Sequence, residues 1–452
     1  AIAPNSILIL DESHNAGGGG EEADTEAMTR AQFVRKLVGL ADAVFYSSAT
    51  YAKRPDVMDL YYKTDMSLAV DSPDALAEAI SKGGVPMQQV VAAMLARSGQ
   101  YIRRERSFAG VTYDAPVVDV DRKTYDNFSN ALAQVQRFSD FVGSITKGIS
   151  KELKAEAKTI SPDGSTGGAG AESTNFTSVM HNIVSQMLLS MKAKPAIDSA
   201  LQVLKSDGKA VLTVASTMGS FLKKLQEEDG VKIGDPVDMD FSHLLQRYLE
   251  RTRVITIKKP FQKGPAEKLY LTDEMLGSAG KKLFDSITDY IENLDLSALP
   301  ISPIDYMKSK IEKAGYKVGE ITGRILTVDY TGKQPVLSQR PASDIQIKGR
   351  RKTISDFNNG KTDVIILNQA GATGLSLHAG EKFKDQRKRT MILVQPESNI
   401  DTHMQMLGRV HRTGQVVLPS YIQLIANIPA EKRPAAILAK KMASLAANTT
   451  AS

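Results

Sequence analysis

Short apolar runs, each closed at once by acidic or small polar residues, constrain this chain more than anything else in it: "ILILDES", "DAVFYSSAT", "DVIILNQAGATG" and "RTMILVQ". Such runs are too short for buried helices and too continuous for strands wetted on one face. They read as strands buried on both faces. Segments with helical spacing separate them, such as Thr25 to Leu40, where Met28, Phe33, Leu37 and Leu40 recur on related faces. Strands of this kind alternating with helices call for a mostly parallel sheet covered by helices. The expected fold class is therefore α/β.

The pattern breaks once. Ile7 to Leu10 and the run ending at Ser47, Ser48, Ala49 and Thr50 are expected as buried strands, with a helical stretch over 70–107 and an edge strand in "VTYDAPVVDV". The stretch "ISPDGSTGGAGAEST" (160–174) then reads as a flexible linker. Strand–helix alternation resumes with a helix near 176–206, "KAVLTVAS", "YKVGEITGR", a helix at 350–358, "TDVIILN", "RTMILVQ", a helix at 400–411 and "YIQLIAN". We expect a first lobe over 1–125, a helical and Gly-rich linker over 126–175, and a second lobe over 176–452 with a helical insertion at about 225–300. A length of 452 residues suits two such bodies. The chain has no cysteine, which excludes disulfides, thiolate metal sites and cysteine nucleophiles. No apolar run approaches the roughly 20 residues that span a bilayer, so no membrane partner is expected. A net charge of +6 permits a polyanionic partner without singling one out.

Four places carry candidate chemistry. Asp11 and Glu12 end an apolar run, where adjacent carboxylates are costly without a function. The first acid of such a pair can hold magnesium and the second can orient an attacking water, although an acidic helix cap would look alike. Ser48 and Thr50 could link that site to a nucleic-acid track or simply cap a helix. In "NQAGATGLSLHAG" (368–380), Gly371 and Gly374 allow close approach of the backbone to a ligand, and Thr373 and Ser376 offer hydroxyls. In "QMLGRVHRTGQ" (405–415), Gln405, Gly408, Arg409 and Arg412 would share one face of a helix. Two arginines three residues apart can reach one phosphate, and a mid-helix glycine that costs about 1 kcal/mol relative to alanine asks for a reason. The segment "SDFNNGKTD" (355–363) ends in Gly-Lys-Thr but follows a helix and opens a strand, the reverse of a phosphate loop. No other GxxxxGK[ST] exists in the chain.

The ordered set "DESH", "SSAT", "GATGLSL" and "QMLGRVHRTGQ" resembles motifs II, III, V and VI of superfamily 2 helicases, and more narrowly the strawberry notch family. "QYIRRERSFAGVTY", "KAVLTVASTM", the "ITGR" at 321–324 and the tail "YIQLIANIPAEKRPAAILAKKMASLAA" extend the likeness over nearly the whole chain. "LDESHNAGG" looks closest to bacterial or phage members, some of them joined to DNA methyltransferases, which would place the protein in a bacterial cytoplasm. Ser13 departs from animal members, which tend to carry cysteine there. The resemblance implies tandem RecA-like lobes, the first incomplete, that bind ATP and Mg2+ and grip nucleic acid, with DNA expected. Asp11 would then be the magnesium acid, Glu12 the water-orienting acid, and Arg409 and Arg412 the γ-phosphate arginines facing them across a cleft. Gln405 and Gly374 would sit at the nucleotide, and Ser48, Thr50 and Thr373 would couple it to nucleic acid. The phosphate loop would lie upstream of residue 1, in a longer polypeptide. The alternative is a helicase-like scaffold, such as a co-regulator or an anti-restriction or virion component, that has kept the fold without the activity.

Overall fold

The computed structural model describes residues 6–16, 29–48, 55–68, 70–102, 110–161, 165–173, 176–368, 375–397 and 399–449. Two compact units result. The described residues within 1–109, 399–404 and 436–452 form the first, and those within 110–398 and 405–435 form the second.

In the first unit, β1 (Ile7–Leu10) and β2 (Ala43–Tyr46) pair in parallel, with Leu10 opposite Tyr46. The helix α1 (Arg30–Leu40) lies between them in sequence. Thr29 and Gln32 fix its start by exchanging side-chain bonds to each other's backbone amides. The helical stretch expected over 70–107 is α2 (Pro73–Arg97), which begins where Ser72 caps the Ala75 amide and Pro73 takes the first helical position. A small core gathers Val38, Met58, Leu60, Tyr61, Met66, Leu76, Ile80 and Leu95. The strands are not buried on both faces as their composition suggests. Leu8, Leu10, Val44 and Tyr46 pack on that core, but Ile7, Ile9 and Phe45 are 71%, 70% and 61% exposed. Side chains alternate across a strand, and among the described residues only one face of this pair is covered.

The strands that matter in the second unit are β3 (Thr112–Asp114), β4 (Gly170–Ser173), β5 (Lys209–Thr213), β6 (Val254–Lys258), β7 (Glu267–Tyr270), β8 (Val318–Ile321), β9 (Val364–Leu367), β10 (Arg389–Leu393) and β11 (Ser420–Gln423). Six of them form one sheet in the order β3-β11-β10-β5-β9-β8, parallel throughout, with β3 at one edge. The fold class is α/β with mostly parallel strands, as expected.

Its helices are α3 (Arg122–Ile160), α4 (Phe176–Met191), α5 (Ala193–Lys205), α6 (Gly219–Glu227), α7 (Phe241–Thr252), α8 (Asp273–Glu292), α9 (Pro303–Lys313) and α10 (Ile347–Asn358). Ala196, Ala200 and Leu204 of α5 and Ile304, Met307 and Ile311 of α9 cover one sheet face at Ala210, Leu212, Val364, Ile366 and Ile392. The opposite face, with Val211, Ile365 and Met391, is equally buried. Here the continuous apolar runs do report strands covered on both sides.

The segments between the sheet strands hold more structure than their composition suggests. Within 126–175, read as a helical and Gly-rich linker, α3 buries Phe128, Ala131, Val135, Phe138 and Val142 in a core shared with α7 and α8. Gly170–Ser173, inside the stretch read as flexible, is strand β4. It pairs antiparallel with β6, which pairs in turn with β7. The insertion expected as helical at about 225–300 therefore includes a β-hairpin. The helix expected near 176–206 is broken into α4 and α5 at Lys192, whose ammonium is buried 2.8 Å from the Glu431 carboxylate.

At the end of β8 the "ITGR" segment forms a buried ionic knot. The Arg324 guanidinium meets Asp305 through Nη1 and Nη2 at 2.6 and 2.5 Å and Glu320 through Nε and Nη2 at 2.7 and 2.8 Å. Arg340 Nη1 adds a contact to Glu320 at 3.3 Å. Glu320 is desolvated, but its two arginines outweigh that and hold its carboxyl down at about 2.

Candidate functional site

Each unit carries some of the residues that the sequence marks out. In the first, the parallel pairing of β1 and β2 puts the acids and the serines at the same end. Asp11 and Glu12 follow Leu10, and Ser47 and Ser48 follow Tyr46, its register partner. The ladder continues past both strands, because the Ser47 amide donates to Leu10 O and the Ser13 amide to Ser47 O, each at 2.9 Å. Glu12 has φ +51°, a left-handed conformation that side chains other than glycine seldom adopt. Strained backbone of this sort tends to persist where a site requires it. Both acids are exposed, and Asp11 Oδ1 accepts the Glu12 amide at 3.1 Å.

Tyr61 organises this end and was not legible from the sequence. Its hydroxyl lies 3.1 Å from Ser13 Oγ and also hydrogen-bonds Ser48, so one phenol joins the residue after the acid pair to the end of the next strand. Its ring packs on Tyr46 with centroids 4.9 Å apart. Burial raises the pKa of both phenols, so Tyr61 stays neutral and can both donate and accept. In sequence Tyr61 belongs to an unremarkable "DVMDLYY". The only available signal was an aromatic residue with a polar tip near a strand end.

An exposed carboxylate is a hard oxygen donor of the kind Mg2+ takes. Among the described residues no three His, Asp or Glu side chains gather to hold a metal. An ion at Asp11 would therefore rest on one or two carboxylates and complete its shell with water and substrate oxygens, the usual magnesium arrangement.

The expected arginine helix is shorter than its spacing suggests. Helix α11 (Ile400–Leu407) contains Gln405 but stops before Gly408, so Gln405, Gly408, Arg409 and Arg412 do not share a helix face. The break is local. The Arg409 amide bonds Met406 O at 3.0 Å and the Val410 amide bonds Leu407 O at 3.4 Å, a tightened last turn. Tyr421 Oη then caps Leu407 O at 2.7 Å. Gly408 is the first residue past the helix, so it does not sit in mid-helix as its spacing suggested.

Other contacts bring Arg409 to the Gly-rich motif. Arg409 O accepts the Leu377 amide at 2.8 Å, and Arg409 Nη1 reaches Leu375 O at 3.4 Å. The two motifs are thus sewn together by backbone rather than by helix periodicity. Arg412 bonds Gly408 O through Nε at 3.2 Å, while its amide donates to Gln415 Oε1 at 2.9 Å. Ser376 O accepts from Asn358 Nδ2 at 3.0 Å, which ties the motif to the end of α10. Gly-Lys-Thr at 360–362 lies between α10 and β9, as its context indicated, and opens no helix. Thr50, Thr373 and Gly374, with Gly371, lie outside the described residues.

Residues 304–452 match the family described as the C-terminal domain on Strawberry notch homologue. Residues 3–130 match the P-loop containing NTP hydrolase pore-1. Protein strawberry notch homolog 2 of Mus musculus is 22% identical over 529 residues, covering 98% of this chain and 37% of its own length. Protein FORGETTER 1 of Arabidopsis thaliana is 30% identical over 190 residues, covering 41% of this chain and 14% of its own. The chain therefore spans well under half of these relatives. They are eukaryotic, and neither supports the bacterial or phage affiliation or the anti-restriction role suggested by "LDESHNAGG". Among solved structures, the Pyrococcus furiosus Hef helicase domain matches with TM-score 0.35 at 11% identity, over 98% of this chain and 74% of that one. The C-terminal part of the Fun30 ATPase domain matches with TM-score 0.28 at 13% identity, over 73% and 89%.

Proposed function

The chain belongs to the strawberry notch family, and we propose that it forms the motor core of an ATP-dependent DNA helicase or translocase, coupling ATP hydrolysis to movement on nucleic acid. The observation that carries this reading is the parallel β1–β2 pair, with an acid pair and a serine pair at one end joined through Tyr61. A scaffold that only binds partners has no need of strained, exposed acids tied to a neighbouring strand end.

In this reading Asp11 gives Mg2+ a carboxylate oxygen and Glu12 orients the attacking water. The ion, when bound, neutralises charge on the β- and γ-phosphates. Arg409 and Arg412 supply the cations that stabilise the transferring phosphoryl group, with Gln405 beside them, and Gly374 lets backbone approach the nucleotide. Ser48, Thr50 and Thr373 transmit the nucleotide state to the nucleic acid, and Tyr61 holds Ser48 in step with the acid pair. This reading requires a lysine and backbone amides to cradle the phosphates, and the 452 residues contain no GxxxxGK[ST] in a strand-to-helix context.

The test is ATP turnover by the full-length polypeptide, with and without DNA. Glu12→Gln should abolish hydrolysis. Arg412→Ala should lower turnover by roughly three to five orders of magnitude while weakening ATP binding far less, and DNA binding measured without nucleotide should persist. Turnover by Arg412→Ala at the parental rate would remove the arginine's assigned role. Parental turnover in Glu12→Gln would remove the acid's assigned role, and a full-length parent that turns over no ATP would favour the scaffold.

A further inference from the structure

We infer that the C-terminal half of α3 is a docking rail for the phosphate backbone of double-stranded DNA. This surface lies apart from the residues assigned above, and the inference rests on the reading that the chain acts on nucleic acid. Lys147, Lys151, Lys154 and Lys158 are all exposed on one 39-residue helix. At about 100° per residue they fall within an arc of about 60°, in a row about 16 Å long. The neighbours three and four positions from each lysine are Gly143, Ser144, Gly148, Ser150, Ala155, Ala157, Ser161, Pro162 and the other lysines. None is a carboxylate. Glu152 and Glu156 project from the far side of the helix, so the row is not neutralised within α3. Lys147–Lys151, Lys151–Lys154 and Lys154–Lys158 are like-charge neighbours, which weaken a helix, and the arrangement asks for an external anion.

The hairpin packed on α3 widens the row. A Cβ built on Gly170 would lie 3.6 Å from Lys154 Cε, and one built on Gly168 would lie 3.4 Å from Lys258 Nζ. Both ammonium groups therefore flank the start of β4, and exposed Lys263 follows in sequence, while Lys259 pairs with Glu267 at 3.9 Å. The glycines keep this edge low enough for a backbone to approach both lysines.

Duplex is favoured over single strand for two reasons. Single-strand surfaces interleave cations with aromatic rings on which bases stack, and residues 147–158 hold no aromatic side chain. A straight rigid row suits a regular phosphate track, which at 3.4 Å per phosphate along one strand presents about five phosphates over this length.

The experiment is fluorescence anisotropy of a labelled 30-base-pair duplex with the 452-residue chain, titrated across 50–300 mM NaCl. The comparison is a quadruple variant, Lys147→Gln, Lys151→Gln, Lys154→Gln and Lys158→Gln. Glutamine keeps helix propensity near that of lysine. Each lost phosphate contact lowers the slope of log K against log salt by about 0.9, so the slope should fall by about 3 to 4. A control removing four scattered exposed lysines (Lys205→Gln, Lys282→Gln, Lys313→Gln and Lys333→Gln) should change it by less than one. If the quadruple variant loses its helical circular dichroism, Lys151→Gln with Lys154→Gln should lower the slope by about 2. Equal slopes for the rail variant and the control, in a parent that binds DNA, would overturn the rail alone. A loss confined to single-stranded DNA or to anionic vesicles would overturn the duplex assignment. A parent that binds no nucleic acid at any salt would sink the functional reading and the rail together.

Discussion

His403 is fully buried on α11, with neither ring nitrogen hydrogen-bonded among the described residues. Burial alone pushes its pKa down from 6.5 to about 4. Between those values the unfolded chain binds a proton that the folded chain refuses, so stability falls as the pH drops through that window. Going from pH 7.5 to 5.0 should cost about 2 kcal/mol from this group. Urea unfolding at the two pH values checks it, with His403→Leu expected to remove the loss. An unchanged pH dependence in that variant would mean another group titrates. At this scale the sequence was informative about residues that stand out chemically. Asp11 and Glu12 announce themselves as charges at the end of an apolar run, and Arg409 and Arg412 by their spacing in "QMLGRVHRTGQ". Tyr61 does not, because its importance comes from a fold that brings residue 61 beside residues 13 and 48.

At the level of elements, the knot at the end of β8 makes a sharp demand. Removing Arg324 leaves Asp305 and Glu320 buried without their main partner, and the cost of such an uncompensated charge is about 3–5 kcal/mol. Arg324→Ala should show that loss in chemical denaturation at pH 7. Lowering the pH toward 2 should narrow the gap to the parent, because protonating Glu320 removes the charge that needed pairing. A loss below about 1 kcal/mol would mean that water relieves the site. Strand elements were legible where periodicity and environment agree, as in β9 and β10, buried on both faces. They were misread where the sequence reports composition and the fold decides the cover. β4 hides in a Gly-rich stretch because a ladder needs only backbone. The helix at 400–411 was drawn too long because spacing alone cannot say that Gly408 ends it.

Over the whole molecule, the two units differ in how much core they own. Among the described residues, the first buries a handful of side chains around Met58, Leu60 and Ile80, while the second holds two large clusters and a doubly covered sheet. Amides open in cooperative blocks whose stability follows such burial. In hydrogen exchange, Leu8 to Leu10 and Val44 to Tyr46 should exchange well before Ile365 to Leu367 and Met391 to Leu393. Equal protection of the two sets would show that the units open as one. A length suited to two bodies was legible, whereas the interruption in strand–helix alternation at 160–174 lies inside the second unit. The helical and hairpin layer around α3 was not legible, because a long amphipathic helix beside a Gly-rich stretch reads equally well as a connector.

The bare face of β1 and β2 also sets how the protein behaves in a test tube. Ile7, Ile9 and Phe45 form a sticky, flat patch on a two-stranded sheet, the kind of surface that recruits other copies edge to edge. Purified chain should cloud on concentration and light up hydrophobic dyes while its far-ultraviolet spectrum stays native. Threonine at positions 7 and 9 would keep strand propensity and raise the concentration at which clouding begins.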